Sequence, residues 1–381
     1  MRKVCIVVAS RSNYGRIKSL LGAIQAHPDL ELQLVVGASA LLHRFGKVID
    51  VIRQDGFSID ATVYFIVEGE NPTTMAKSTG LAISELSTIF ENLKPDVVLT
   101  VADRFETMAT AIAAAYMNIP LAHTQGGELT GNIDESVRHA ITKFAHLHFP
   151  ATELSAQRLI KMGEDPRTVV MTGCPSIDIL ASQDLSLPKD LFVRYGGVGS
   201  QLNPEKPYLV VLQHPVTTEF GEGMRQIAET LQAIAELQIQ TVWLWPNVDA
   251  GSDDVSKGLR MFRETRNPGY VQFFRNFSVE DYTRLINNCL CLVGNSSSGI
   301  REGAYLGVPV VNIGTRQQYR ERGDNVLDVG YNSAEIARAI EKQIAHGRYR
   351  PNYLYGDGKA AGRIVDALAT CEFQIQKRFV D

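Results

Sequence analysis

Two clusters of side chains in this 381-residue chain have the types and spacing of acid/base and anion-binding groups. In the first, spanning 97–148, Asp103 and Arg104 follow directly on the apolar run 97–101. Glu128, Asp134, Glu135, Arg138 and His139 then crowd around a turn that holds Gly126, Gly127 and Gly131. Carboxylates gathered where a strand gives way to a helix suit general acid/base catalysis. The Arg104 guanidinium suits either lowering the pKa of Asp103 or holding phosphate. Two ordinary strand-to-helix loops with solvated charges have an equal claim on spacing alone. In the second cluster, four loops follow apolar runs: HPVTTE with His214, PNVDAGSDD with Asn247, GNSSSGIREG with Ser296 and Ser297, and NIGTRQQYRERGDN with Arg316 and Arg320. The stretch 294–299 offers backbone N–H groups and a following helix to a diphosphate, or simply Ser296–Ser298 as helix caps. His214 and Arg316 on neighbouring loops favour the phosphate reading. Glu302 has two acceptor oxygens for a pair of ribose hydroxyls, against the plainer role of a solvated first-turn carboxylate.

The elements that position these groups read as strand then helix, repeated. Short β-branched runs predict strands at 3–9, 30–36, 61–67, 96–101, 119–122, 147–149 and 168–171, with SRSNYG as a polar turn after the first. Amphipathic stretches predict helices near 17–24, 41–54, 74–93, 104–117, 134–145 and 152–162. The segment 173–206 is rich in Gly, Pro and Ser and reads as a linker followed by a surface loop. A second series follows, with strands at 208–213, 241–245, 270–274, 290–293 and 308–313. Helices are expected near 219–236, 252–265, 279–287, 298–305, 332–346 and 358–371. Alternation of this kind predicts two parallel sheets covered on both faces, set across a cleft. The expected units are therefore 1–172 on the catalytic side, 173–206 between, 207–357 on the nucleotide side, and a final segment 358–381.

Composition narrows the class. At 45% hydrophobic and 21% charged residues the chain has enough apolar material for two cores. A formal net charge of −4 gives no basic footprint for nucleic acid. No apolar run approaches the ~20 residues that span a bilayer, and the N-terminal run reads as a strand and not a signal peptide, so a cytoplasmic protein is expected. The five cysteines are scattered and read as buried reduced thiols. No spacing among Cys and His suggests a dedicated metal site, and no cofactor is expected.

Nine blocks carry a family resemblance: SRSNYG, ADRFET, HTQGGELTGNIDESVRHAITKFAHLH, GCPSIDIL, HPVTTE, PNVDAG, GNSSSGIREG, NIGTRQ and GDNVL. In that order, over residues 1 to about 345, the chain resembles hydrolysing UDP-N-acetylglucosamine 2-epimerases of the sialic-acid pathway. The resemblance implies an α/β, GT-B-like fold of two Rossmann-like doubly wound domains facing across a cleft. It also implies nucleotide held mainly by the second domain and a final helix packing back on the first. The small-molecule nucleotide-sugar substrate would yield UDP and N-acetylmannosamine or a related 2-acetamido sugar. Asp103 and Asp134 fall among the implied catalytic acids and bases; Arg11, Arg104, His214, Asn247, Ser296, Ser297, Glu302 and Arg316 fall around the nucleotide. A homodimer or homotetramer through the first domain is implied as well.

Inverting C2 while expelling the nucleotide from C1 is an elimination to a glycal followed by hydration. It needs proton-transfer groups on both faces of the ring. Two departures from the family bear on this. Gln125 stands where the family commonly has Glu; an amide cannot do acid/base work, so it would hydrogen-bond a sugar hydroxyl, acetamide or water, and Glu128 becomes a candidate for the missing role. Asn13 stands where the family often has Asp, which bears on sugar contacts or water placement. A non-hydrolysing 2-epimerase, a GT-B glycosyltransferase and a nucleotide-sugar-binding regulator without catalysis stay open beside the main reading.

Overall fold

The computed structural model describes residues 1–380 and builds two parallel sheets from the two series of strands. The first contains β1 (Arg2–Val8), β2 (Leu30–Gly37), β3 (Ala61–Val63), β4 (Val97–Val101), β5 (Leu121–Thr124) and β6 (Leu147–Phe149), in the order β3-β2-β1-β4-β5-β6. The second contains β7 (Val198–Gly199), β8 (Leu209–Leu212), β9 (Thr241–Leu244), β10 (Val271–Phe274), β11 (Cys291–Gly294), β12 (Val310–Ile313) and β13 (Val326–Val329), in the order β13-β12-β11-β8-β9-β10-β7. Apart from β7, which runs antiparallel on β10, every pairing is parallel. Both sheets are doubly wound and have GT-B-like form.

Both faces of each sheet are buried, which is why the strands read as apolar runs without alternation. In β1, Val4, Ile6 and Val8 pack on the face that carries helix Arg11–Ala26, while Cys5 and Val7 pack on the opposite face with Leu86 and Phe90. The last helix, Ala360–Thr370, adds Ile364 and Leu368 to the first of these cores. Among the described residues no helix is long and apolar enough to cross a membrane. The five cysteines are free, four of them buried and Cys371 half-buried. Asp381, the last residue of the expected 358–381 segment, lies outside the described residues.

Several expectations need correction. SRSNYG is no turn: Ser10 accepts the Asn13 N–H and caps a helix that already starts at Arg11. The 61–67 strand stops at Val63, where the edge of the sheet meets solvent at the exposed Tyr64. The 41–54 helix is broken by Gly46 (φ 90°) and Lys47 (φ 43°) and survives only as Val48–Gln54. The 168–171 strand reduces to one bridge between Val169 and His148, after the tight turn Pro166–Thr168. The 173–206 segment holds helices Pro175–Ser182 and Leu191–Tyr195 and the edge strand β7, and β13 was not foreseen.

Candidate active site

In an open parallel sheet, ligands sit beyond the strand C-termini where the strand order reverses. Those reversals are β1/β4 in the first sheet and β8/β11 in the second, and the side chains at the two points meet. Arg16, on the second turn of the helix that follows β1, donates to Ser297 Oγ after β11 (2.7 Å), and Arg11 donates to Asn247 Oδ1 after β9 (3.3 Å). Between them lies a cleft walled by both halves of the chain. Nine of the twelve predicted site residues line it: Asp103, Arg11, Arg104, His214, Asn247, Ser296, Ser297, Glu302 and Arg316.

On the first sheet, Asp103 is delivered by a strained backbone. Ala102 sits in the left-handed region (φ 65°), and its carbonyl is held by His123 Nε2 at 2.7 Å. Burial alone would raise the Asp103 pKa, but Arg138, Arg16 and Arg320 overcome it and hold the carboxyl far below its ordinary range. Arg104 does not pair with Asp103: it reaches Glu106 (3.2 Å), Asp249 (3.0 Å) and the Val248 carbonyl (3.0 Å) while still lining the cleft. Asp134 opens helix Ile133–Phe144, where Asn132 both caps its N–H (3.2 Å) and donates to its Oδ2 (2.9 Å). Burial, then the nearby Asp103 carboxylate, push the Asp134 pKa up to about 6. Among Asp103, Glu128 and Asp134, only Asp134 has its pKa shifted upward.

Three expected catalytic residues, Asp134, Gln125 and Glu128, are not on the cleft wall. Gln125, at φ 62° and 1% exposed, turns its amide to Cys174 Sγ (3.3 Å), because the left-handed backbone at the end of β5 aims it inward. Glu128 is 2% exposed and is held by Arg301 (2.5 Å) and Arg320 (3.1 Å), both from the second half of the chain. Asn13 is likewise internal: its Oδ1 accepts from the Ala9 N–H (3.2 Å) and its Nδ2 donates to the Val101 carbonyl (3.5 Å), bracing β1 against β4. An Asp there lacks the donor, so the departure at Asn13 is structural.

On the second sheet, His214 Nδ1 accepts the Asn247 N–H (3.1 Å), which leaves the ring proton on Nε2. Burial and the surrounding Arg316 and Arg11 hold this imidazole neutral, well below its ordinary pKa. Asn295, missed in the sequence, fixes the His214 backbone in both directions, accepting its N–H (2.7 Å) and donating to its carbonyl (2.8 Å). Arg316 and Gln317 are tied to the Asn295 carbonyl at 3.0 and 2.9 Å. Ser296 does cap the short helix Ser297–Ile300, and the expected 298–305 helix breaks at Arg301 before resuming as Glu302–Leu306. That break turns Arg301 inward to Glu128 and leaves Glu302 on the cleft wall, without a side-chain hydrogen bond among the described residues.

A family model described as UDP-N-acetylglucosamine 2-epimerase matches residues 22–369. The chain is 33% identical over 377 residues to a UDP-N,N'-diacetylbacillosamine 2-epimerase (hydrolyzing) of Legionella pneumophila, covering 99% of this chain and 98% of that protein. It is 34% identical over 343 residues to polysialic acid biosynthesis protein P7 of Escherichia coli, covering 89% and 85%. Among solved structures, the UDP-N-acetylglucosamine 2-epimerase of Neisseria meningitidis bound to UDP-GlcNAc superposes with a TM-score of 0.77 at 20% identity, covering 96% of this chain and 99% of that one. Similarity at that identity speaks to the fold alone.

Proposed function

Because this chain belongs to the UDP-N-acetylglucosamine 2-epimerase family, we propose that it is a hydrolysing 2-epimerase acting on UDP-N-acetylglucosamine or a close UDP- or GDP-2-acetamido sugar. The observation that carries this reading is the meeting of the two switch points in one cleft, with the Asp103 carboxylate on one side and an anion-binding wall on the other. The nucleotide lies along the second sheet. His214 Nε2–H donates to a phosphate oxygen, Arg316 and Arg16 neutralise the diphosphate, and Glu302 takes the ribose hydroxyls. Arg11, Asn247, Ser296 and Ser297 complete that wall, and the spare Nη1 of Arg104 is available to a phosphate oxygen.

The sugar faces the first sheet. A base removes the C2 proton while the C1–O bond breaks, its electron pair leaving with the diphosphate and a C1=C2 double bond remaining. Water then adds its oxygen to C1, and a proton returns to the opposite face of C2. Asp134, with a pKa near neutrality, is assigned a proton-transfer role. Asp103 is the carboxylate that the first sheet places on the cleft wall. The relatives named as hydrolysing support release of free nucleotide.

The test is incubation with UDP-N-acetylglucosamine in deuterated water, repeated over a panel of UDP- and GDP-sugars. Free nucleotide and a product labelled at C2 are expected; nucleotide release without C2 exchange overturns the reading. An interconverted UDP-sugar pool with no free UDP assigns the non-hydrolysing reaction instead.

A further inference from the structure

Resting on the reading above, we infer that Glu128 is a positioning residue that clasps the two sheets over the site, and not a group that moves protons. Its carboxylate Oε2 is the shared partner of Arg301 (2.5 Å) and Arg320 (3.1 Å), which reach it from loops of the second sheet. Its backbone carbonyl accepts from Arg138 Nη1 (2.6 Å), and the other end of that guanidinium grips Asp103. One residue therefore joins the arginines of the far wall to the arginine that orients the cleft carboxylate. Glu128 and its three partners are all buried: Arg138 is 0%, Arg301 1%, Glu128 2% and Arg320 4% exposed.

The loop that carries Arg320 is seated for this purpose. The Gly131 N–H donates to the Arg316 carbonyl (3.3 Å), and a Cβ at Gly131 would lie 1.9 Å from the Thr315 carbonyl oxygen, so only glycine lets the two loops touch. Beside Arg320, Glu321 accepts from Thr152 Oγ1 on the first sheet (2.5 Å), and its carbonyl accepts from Tyr355 (2.6 Å). Tyr355 in turn lies under the Arg301 guanidinium, 5.5 Å from ring centre to Cζ. Glu128 faces Arg301, Arg320 and Arg138, and those three guanidinium groups hold its carboxyl below the ordinary range despite complete burial. A carboxylate so fixed is suited to holding position. Removing its charge strands two buried guanidinium groups, which the chain relieves by parting the sheets.

The experiment compares Glu128→Gln, Arg320→Met and the double variant in the full-length protein by three readouts: UDP affinity by calorimetry, solution scattering with saturating UDP, and the pH profile of C2 exchange. Glu128→Gln is expected to weaken UDP binding about tenfold and enlarge the scattering envelope, with the profile keeping both limbs. Arg320→Met, made from the other wall, is expected to do the same, and the double variant to lose less than the two single effects combined. Loss of a pH limb with unchanged UDP affinity and envelope assigns Glu128 to proton transfer and overturns the inference; so does a Glu128→Gln variant with the affinity and envelope of the wild type. Affinity and scattering need no turnover, so a wild type inactive in deuterated water overturns the epimerase reading and leaves the clasp to be judged on its own.

Discussion

Asp134 is where stability and chemistry oppose each other. Its carboxyl titrates at about 6 in the folded protein and near 4 in an unfolded chain. Between those values the folded protein keeps a proton that the unfolded chain has lost, so stability falls as pH rises from about 4 to about 6. Above that window the ionised, half-buried carboxylate destabilises the fold. Asp134→Asn removes that penalty and the exchangeable proton together. Scanning calorimetry at pH 7.5 is expected to show a higher Tm, while C2 exchange falls by ~10²–10⁴-fold. A lowered Tm with full exchange would contradict both halves. In the wild type, kcat/KM is expected to fall below pH ~6 as Asp134 takes up its proton. His214 makes a contrasting case, being neutral throughout the working range, so His214→Ala is expected to weaken UDP binding by roughly tenfold or more without moving that limb.

At the scale of elements, helix Ile133–Phe144 carries Asp134 and Arg138 on its first turns and is anchored at its other end by the C-terminal tail. Lys377 Nζ donates to the Thr142 (2.8 Å) and Lys143 (3.3 Å) carbonyls, placing a cation where the helix dipole is negative. Lys377 also pairs with the buried Glu164, which Lys143 reaches at 2.7 Å and His148 at 3.0 Å. Truncation after Cys371 is therefore expected to lower Tm and turnover while UDP affinity, which resides on the other sheet, stays within about twofold. Calorimetry and titration on the same sample decide this; a large loss of UDP affinity would show that the tail acts beyond its helix. Gly131→Ala tests a contact between two loops. With no room for a methyl group against Thr315, it is expected to raise KM about tenfold and leave each sheet's secondary structure intact by circular dichroism.

At the scale of the molecule, polar contacts run across the cleft along its whole length. Lys18 pairs with Glu280 at 2.5 Å, Arg104 with Asp249 at 3.0 Å, and Gly251 N–H donates to the Glu70 carbonyl at 2.9 Å. A ligand that engages both walls adds to these contacts in the folded state only. UDP at a hundredfold excess over its Kd is thus expected to stabilise the protein by about 2.7 kcal/mol and raise Tm accordingly. Differential scanning fluorimetry across a UDP series reads this directly, and a flat Tm would exclude UDP as a ligand of the folded protein.

The sequence by itself determined the alternation of buried strands and helices, since runs such as 97–101 and 209–212 are apolar on both faces and leave no other burial. Nine of the residues it singled out line the cleft, because strand-end positions are fixed once the strands are known. The tertiary structure decided which charges meet. Nothing local tells that Arg104 turns to Asp249 while Arg138 takes Asp103, or that Arg301 and Arg320 cross to Glu128. Nor does a residue letter reveal that φ at Ala102 and Gln125 is positive, which brings Asp103 to the cleft and turns Gln125 away from it. Pattern reports which face of an element is buried; the partner of a long charged side chain depends on how two separately folded sheets are brought together.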